Sequence, residues 1–399
     1  MNDIEFSVME GNPGDAQHLL PLLDAFEKQY RIHVNLIGIP WGRGWTEIAK
    51  YGIYGSGPDV SSIGSTWIGS LASMQALRPF GAQEVKALGG ADAFFEAGWK
   101  SVFLPNDSSP WAIPWLADTL VIYFWKDALE KAGVKDFEMA LASDAGLFDT
   151  LKKLQADGIK HPLAMTTTAN SPVIIQEAAH WIWNAGGDFL SPDFRKVLFT
   201  EPAAMSGWRS YFSLAPFISP ASLKAASSGE LFNQRASGDA VVTFAGPWKG
   251  VTGRMQHPEW DQTLGIVPVP GTAFVGGSSL VIWQYSRKSR EAFELVRFLS
   301  SQPTRIPAAP HEHGLPTRRD ALNMPSVEYD PFHRIYLQAL QSGRSFPSVR
   351  LWGSVEDKLI AQITAIWEKL LADPALDLDA CLHEHLNPLA KHLNIVLGN

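Results

Sequence analysis

The stretch from Ile4 to Ile39, IEFSVMEGNPGDAQHLLPLLDAFEKQYRIHVNLIGI, decides the fold class. Ile4–Met9 is a short apolar run of strand type. Gly11-Asn12-Pro13-Gly14 is a turn, and Asp15 is placed to cap the next helix. Leu19, Leu22, Leu23, Phe26 and Tyr30 then recur near a 3.6-residue period, which predicts that helix. Pro21 interrupts the pattern, so the helix either starts late or kinks. Ile32–Ile39 alternates as a second strand. After the turn Gly55-Ser56-Gly57, the run Pro58-Asp59-Val60 opens a third. Strand, helix, strand in this order predicts a mostly parallel sheet flanked by helices.

Further along, a second α/β region follows Trp111. Thr119–Trp125 is apolar and strand-like. Ser171-Pro172 starts a helix that stops at Gly186-Gly187. Ala240–Phe244, Leu264–Val269 and Ser279–Trp283 are short strands, and Glu291–Leu299 is a helix. Beyond Asp330 the pattern is helical throughout, over Phe332–Leu340, Val355–Leu371 and Leu378–Leu397. The uncharged stretch Gln262–Ser286 is long enough to span a bilayer. Pro268, Pro270, Gly271, Gly276 and Gly277 break it, so it reads as strand, loop, strand. No internal repeat is visible.

The chain has 399 residues, 46% of them hydrophobic and 19% charged, which is globular composition with room for two or three domains. Its net charge of −8 comes without a long basic run, which argues against nucleic acid as a partner. The single cysteine, Cys381, excludes an intrachain disulfide. Met1-Asn2-Asp3 leads straight into a strand, with no basic and apolar leader ahead of it. The 15 tryptophans exceed ordinary usage; such rings fill cores, and they also stack on flat ligands.

Enzyme signatures are missing. No Gly-rich phosphate loop lies between a strand and a helix. Gly276-Gly277-Ser278-Ser279 lacks the closing glycine of a nucleophile elbow. His311-Glu312-His313 and the Cys381, His383, His385 series lack the i, i+4 spacing that puts two metal ligands on one helix face. The reading is therefore no catalytic residue, no metal and no cofactor.

The ordered motifs resemble one family, the extracellular solute-binding proteins of ABC importers, in the sugar-binding group that includes the maltose-binding protein. Gly57-Pro58-Asp59-Val60 followed by Gln75-Ala76-Leu77-Arg78-Pro79-Phe80 looks like one family segment. Ile113-Pro114-Trp115-Leu116-Ala117-Asp118-Thr119, then Tyr123-Phe124-Trp125-Lys126-Asp127 and Lys131-Ala132-Gly133-Val134, looks like another. Ala185-Gly186-Gly187-Asp188, Gly246-Pro247-Trp248, Val267-Pro268-Val269-Pro270-Gly271, Val275-Gly276-Gly277 and Gly314-Leu315-Pro316-Thr317-Arg318 complete the order. Trp125 stands where the family has Asn, and Ala76 where a Gly-Leu pair is expected.

The resemblance implies an α/β, two-lobed, type II-like binding-protein fold with a hinge, an interlobe cleft and a helical C-terminal region. Lobe one would hold residues 1–113 and 271–313, and lobe two residues 114–270 and 314–399. The hinge would lie near Pro114–Asp118, Pro268–Gly271 and His313–Thr317. The chain would act as a monomer that captures a carbohydrate and delivers it to membrane permease subunits. It would work in the periplasm or as a lipoprotein on the cell surface.

A sugar presents hydroxyls at its rim and apolar C–H faces, so its site needs aromatic plates and planar polar groups. The resemblance assigns stacking to Trp248 and hydroxyl acceptance to Asp118, with Trp115 in the same hinge segment. Sheet logic adds residues just past strand ends: Glu10 and Asn12, Trp41 and Arg43, and Ser65, Thr66 and Trp67. Asn170 and Ser171 precede a helix start, where simple capping is the competing account. Gly277 and Ser278 offer backbone N–H groups. Arg350 and Trp352 lie in a loop before a helix. At least one of Trp181 and Trp183 belongs to the core. Convergence of Arg43, Arg318 and Arg350 would instead signal an anionic polyol or sugar derivative. Acidic pairs would signal a polyamine, and two carboxylates flanking a bond a glycoside-active enzyme.

Overall fold

The computed structural model describes residues 2–11, 14–105, 107–169, 171–225, 228–233, 239–301, 314–322 and 330–398. Among them, ten strands form two sheets. They are β1 (Asn2–Glu10), β2 (Ile32–Pro40), β3 (Val60–Gly64), β4 (Ile113–Thr119), β5 (Val121–Trp125), β6 (Leu163–Ala164), β7 (Val242–Ala245), β8 (Leu264–Pro268), β9 (Val275–Ile282) and β10 (Leu315–Pro316). The principal helices are α1 (Leu20–Tyr30), α2 (Trp41–Tyr54), α3 (Ile68–Ser73), α4 (Val173–Asn184), α5 (Pro202–Phe212) and α6 (Pro247–Gln256). The series continues with α7 (Ser289–Ser300), α8 (Pro331–Ser342), α9 (Trp352–Ala372) and α10 (Leu378–Gly398).

The larger sheet runs β10-β4-β9-β3-β1-β2 and the smaller β6-β7-β5-β8. In the larger one β1 pairs parallel with β2 and β3, as the opening residues predict. α1 begins at Leu20 with Pro21 in its first turn, so proline starts the helix late and does not kink it. β9 runs antiparallel between β3 and β4. Successive residues along it and just beyond feed opposite faces: Leu280 and Ile282 join Phe6 and α7's Leu295, while Val281 and Trp283 join Ile48 and Ile63. The smaller sheet shares one core with α4, α5, α8, α9 and α10, centred on Trp181, Trp208, Trp352 and Trp367.

Strand pairing moves the expected boundary. Residues 114–119, expected in lobe two, hydrogen-bond along β4 to β9 of the larger sheet, and Leu315–Pro316 pair with β4. The first passage between sheets is therefore Leu120, after Pro114–Asp118. The second is Val269–Phe274, between β8 and β9. His313 lies outside the described residues, as do His311 and Glu312.

Gly277 is where this junction is tightest. Its φ is +136°, and a Cβ there would fall 2.0 Å from the Leu116 carbonyl. Gly277→Ala is therefore expected to lower stability by about 1–3 kcal/mol or more, read as a shifted urea midpoint. An unchanged midpoint would contradict the pairing. Among the described residues, no helix is long and apolar enough to cross a membrane.

Candidate functional site

The carboxyl ends of β1, β2, β3 and β4 share one rim of the larger sheet with the amino end of β9. The carboxyl ends of β6, β7 and β8 share a rim of the smaller sheet with the amino end of β5. β4 passes into β5 at Leu120, and β8 passes into β9, so the rims meet at these crossings. Ligand sites in α/β sheets form past carboxyl ends, where backbone groups and loops are free to turn toward a solute.

Asp118 stands at this junction, opposite Gly276 of β9. A Cβ on Gly276 would sit 3.2 Å from Asp118 Oδ1, so the glycine leaves the carboxyl its room. Oδ1 is buried and has no hydrogen-bond partner among the described residues. Desolvation pushes the Asp118 pKa up to about 7. A buried acceptor without a donor is costly, and a perturbed carboxyl at a cleft marks a site able to receive donors from a solute.

On the rim of the larger sheet, Trp41 and Trp45 in the first turns of α2 flank Trp67, with ring centroids 5.7 and 5.9 Å away. Trp67 is buried between them, Trp41 is half-buried, and Arg43 is exposed. Ser65 is half-buried, and Thr66 Oγ1 donates to Glu356 Oε2 at 3.1 Å. Glu356 is buried in the first turns of α9, and desolvation raises its pKa to about 7. Sequence reasoning missed both Trp45 and Glu356. The signal for Glu356 is its place on the buried stripe of α9, with Trp352, Val355, Leu359 and Ile363.

On the other rim, Gly246-Pro247 ends β7 and starts α6. Tyr123 Oη donates to the Gly246 carbonyl at 2.9 Å and accepts from Gly250 N at 3.1 Å, which pins that first turn. Trp248 occupies the same turn by its backbone; its side chain lies outside the described residues. Next to it, Lys249 is buried over the rings of Phe232 and Trp260, and desolvation lowers its pKa to about 7. The loop after β6 is anchored by Glu177 of α4, whose two carboxylate oxygens accept from Thr166 N at 3.3 and 3.1 Å.

Several expected contacts have other work. Trp115 is a core residue, 1% exposed and edge-on to Phe6, because its position on β4 points away from the rim. Trp352 is also a core residue, fully buried and stacked on Phe346 at 4.6 Å. Glu10 Oε2 accepts from Gly14 N at 3.1 Å and Ala16 N at 3.4 Å, so its carboxylate fastens the following turn. Ser171 Oγ accepts from Val173 N at 3.3 Å, a local bond just ahead of α4, whose N-cap is Pro172. Gly277 is glycine for its close approach to the Leu116 carbonyl, and Ser278 is half-buried opposite Gly64 and Leu116. Arg350 is exposed beside a cavity of about 380 Å³ that Trp45, Ser70 and Ser354 also line. Arg318 is taken by Asp320 and the Leu88 carbonyl, away from Arg43 and Arg350. Trp181 and Trp183 are both in the core. Asn12 and Asn170 lie outside the described residues.

Cys381 is buried, His383 contacts Asn387, and His385 contacts Gln362. Among the described residues, no group of three or more His, Cys, Asp or Glu side chains could hold a metal.

Comparison with known proteins places this geometry. The family model described as bacterial extracellular solute-binding protein matches residues 13–305. The solute-binding protein of an ABC transporter from Thermotoga lettingae TMO, solved with α-D-tagatose, superposes with a TM-score of 0.85 at 19% identity, covering all of both chains. Thermotoga maritima MalE3, solved with maltose, gives 0.82 at 23% identity over 98% of this chain and 99% of that one. A Deinococcus radiodurans protein named "Probable ABC transporter-binding protein" is 24% identical over 199 residues, 47% of each chain, so the match spans about half of that relative. With the family model covering most of its length and the two-lobed fold matched end to end, this chain belongs to the bacterial extracellular solute-binding protein family.

Proposed function

We propose that this protein captures a carbohydrate between the two rims and delivers it, chemically unchanged, to the membrane permease of an ABC importer. The observation that carries the reading is Asp118 at the junction of the sheets, whose buried Oδ1 has no donor among the described residues. A sugar hydroxyl supplies that donor, and Trp41 and Trp248 supply rings for its apolar faces. The similar Thermotoga proteins were solved with a ketohexose and with maltose, which supports the carbohydrate class. The carboxyls Asp118 and Glu356 stand at the rims, and the arginines do not converge. This favours a neutral polyol over an anionic one.

The lobes in this reading are residues 2–119 with 275–316, and residues 121–268 with 330–398. Closure turns about Leu120 and Val269–Phe274, near the site. The protein acts as a monomer outside the cytoplasm, and Asp118 accepts hydrogen bonds without taking part in any bond cleavage.

A thermal-shift screen over mono-, di- and oligosaccharides, uronates, polyols and polyamines tests the class. A neutral sugar at a hundred times its Kd is expected to stabilise the fold by about 2.7 kcal/mol. A response to polyamines or uronates alone would overturn the neutral-carbohydrate reading.

A further inference from the structure

The N-terminal part of α9 and the loop before it touch both lobes. Upstream, Phe346 packs on Trp183, Phe189 and Phe274, and Arg344 pairs with Asp188, so the loop is rooted in the second core. Downstream, Val355, Leu359 and Ile363 of α9 are buried in that core as well. Between these anchors, residues 348–356 make a series of contacts with the other lobe. Ser348 Oγ donates to the Ser101 carbonyl at 2.7 Å. Gly69 of α3 lies so close that a Cβ there would fall 2.5 Å from Val349 N and 2.7 Å from its carbonyl. Gly353 N donates to Ser70 Oγ at 3.3 Å, and a Cβ on Gly353 would be 3.1 Å from the Trp45 ring. The series ends at the Thr66–Glu356 hydrogen bond.

We propose that residues 348–356 are a strap that fastens the lobes together, and that it is tightest while the Glu356 carboxyl is neutral, so that closure takes up a proton. The geometry demands this. Glu356 is buried, and the side chains that hydrogen-bond to it from the other lobe, Thr66 and Trp67, are both neutral. An ionised carboxylate there loses its water and gains no cation in return.

The charged surroundings are few. Asp357, exposed and next in sequence, raises the Glu356 pKa further. The turn Ser65–Trp67, α3, and the short turns at 215–217 and 220–223 carry no titratable side chain. α4 brings Glu177 and His180, both buried, and α10 brings Glu384, His385 and His392 to the groove beside Asp357 and Lys358.

The direction of the pH effect comes from linkage. With the lobes apart, Glu356 meets water and titrates near the ordinary value of about 4.3. Strapped, it titrates at about 7. The strap is therefore at full strength below the first value. It weakens about tenfold per pH unit as pH rises between the two, and is constant above the second. This inference does not depend on which solute the protein binds.

The test is an interlobe distance measured without ligand. Spin labels go on the exposed Lys86→Cys and Lys152→Cys, in a Cys381→Ala background whose melting curve shows that it folds. From pH 5 to pH 8 the separated population of the otherwise wild-type protein should rise at least tenfold. Glu356→Gln should stay strapped across the range. Gly69→Ala, which pushes on the Val349 backbone without touching the carboxyl, should be separated at both ends of the range. A distance distribution that ignores pH would overturn the proposal. So would a Glu356→Gln variant that behaves as the wild type does, which would move the effect to Asp118 or a histidine. A folded Gly69→Ala protein that stays strapped would also overturn it.

Discussion

Asp118→Ala is expected to weaken solute binding by roughly ten- to hundredfold while leaving the empty protein at least as stable as wild type. The binding loss arises from deleting an acceptor whose hydrogen bonds to solute hydroxyls are charge-assisted, worth about 1.5–3 kcal/mol. The stability effect has the opposite sign because, among the described residues, Asp118 Oδ1 is buried without a donor. Its pKa is raised to about 7, against about 3.9 unfolded. Such a group favours folding most below the unfolded value and loses that contribution as pH rises to 7. Its removal should therefore raise the melting temperature most at pH 7 and above. Calorimetric titration and melting curves at pH 5 and pH 8 separate the two effects. A variant that loses stability and keeps its affinity would make Asp118 a structural residue of the crossing.

Trp352→Ala is expected to cost about 3–5 kcal/mol of stability, the range for deleting a buried aromatic side chain. The ring is fully buried, stacked on Phe346 and edge-on to Phe189, with no face left for a solute. Urea unfolding would show this as a lower midpoint. Where the variant is still folded, its solute affinity should stay within a few-fold of wild type. Loss of affinity at full stability would return Trp352 to the binding site.

These two residues mark where the sequence is legible and where it is not. The alternation of Ile4–Ile39 announces β1, α1 and β2, because strand and helix periods are properties of the local chain. Glycine and proline punctuation likewise locates the Gly186 turn, the start of α6 and the break inside Gln262–Ser286. Sequence punctuation places the crossing a few residues early. Pro114 suggests a loop, yet the chain stays paired as β4 through Thr119, with an irregularity between Pro114 and Leu116 that absorbs the proline.

Aromatic roles are the least legible. Trp115 and Trp352 belong to the core, and Trp41 and Trp45 to the rim, but nothing within a few residues distinguishes them. Their roles depend on which face of a strand or helix meets another lobe. Glu10 shows the same limit, since its partners are backbone N–H groups of a turn whose path is a tertiary fact. Glu356 shares the spacing of the buried stripe of α9, but a glutamate in the first turns of a helix ordinarily faces water. Here the strap turns it inward, against Thr66.

The central claim is capture without chemistry, and one measurement addresses both halves. The protein is saturated with the sugar that gives the largest thermal shift, freed of excess by gel filtration, and denatured. The released solute is then quantified and identified by mass. The account predicts one equivalent of unaltered sugar per chain from wild type and little from Asp118→Ala. Recovery of a cleaved or rearranged sugar would contradict it. So would retention of a polyamine or peptide where every carbohydrate washes away.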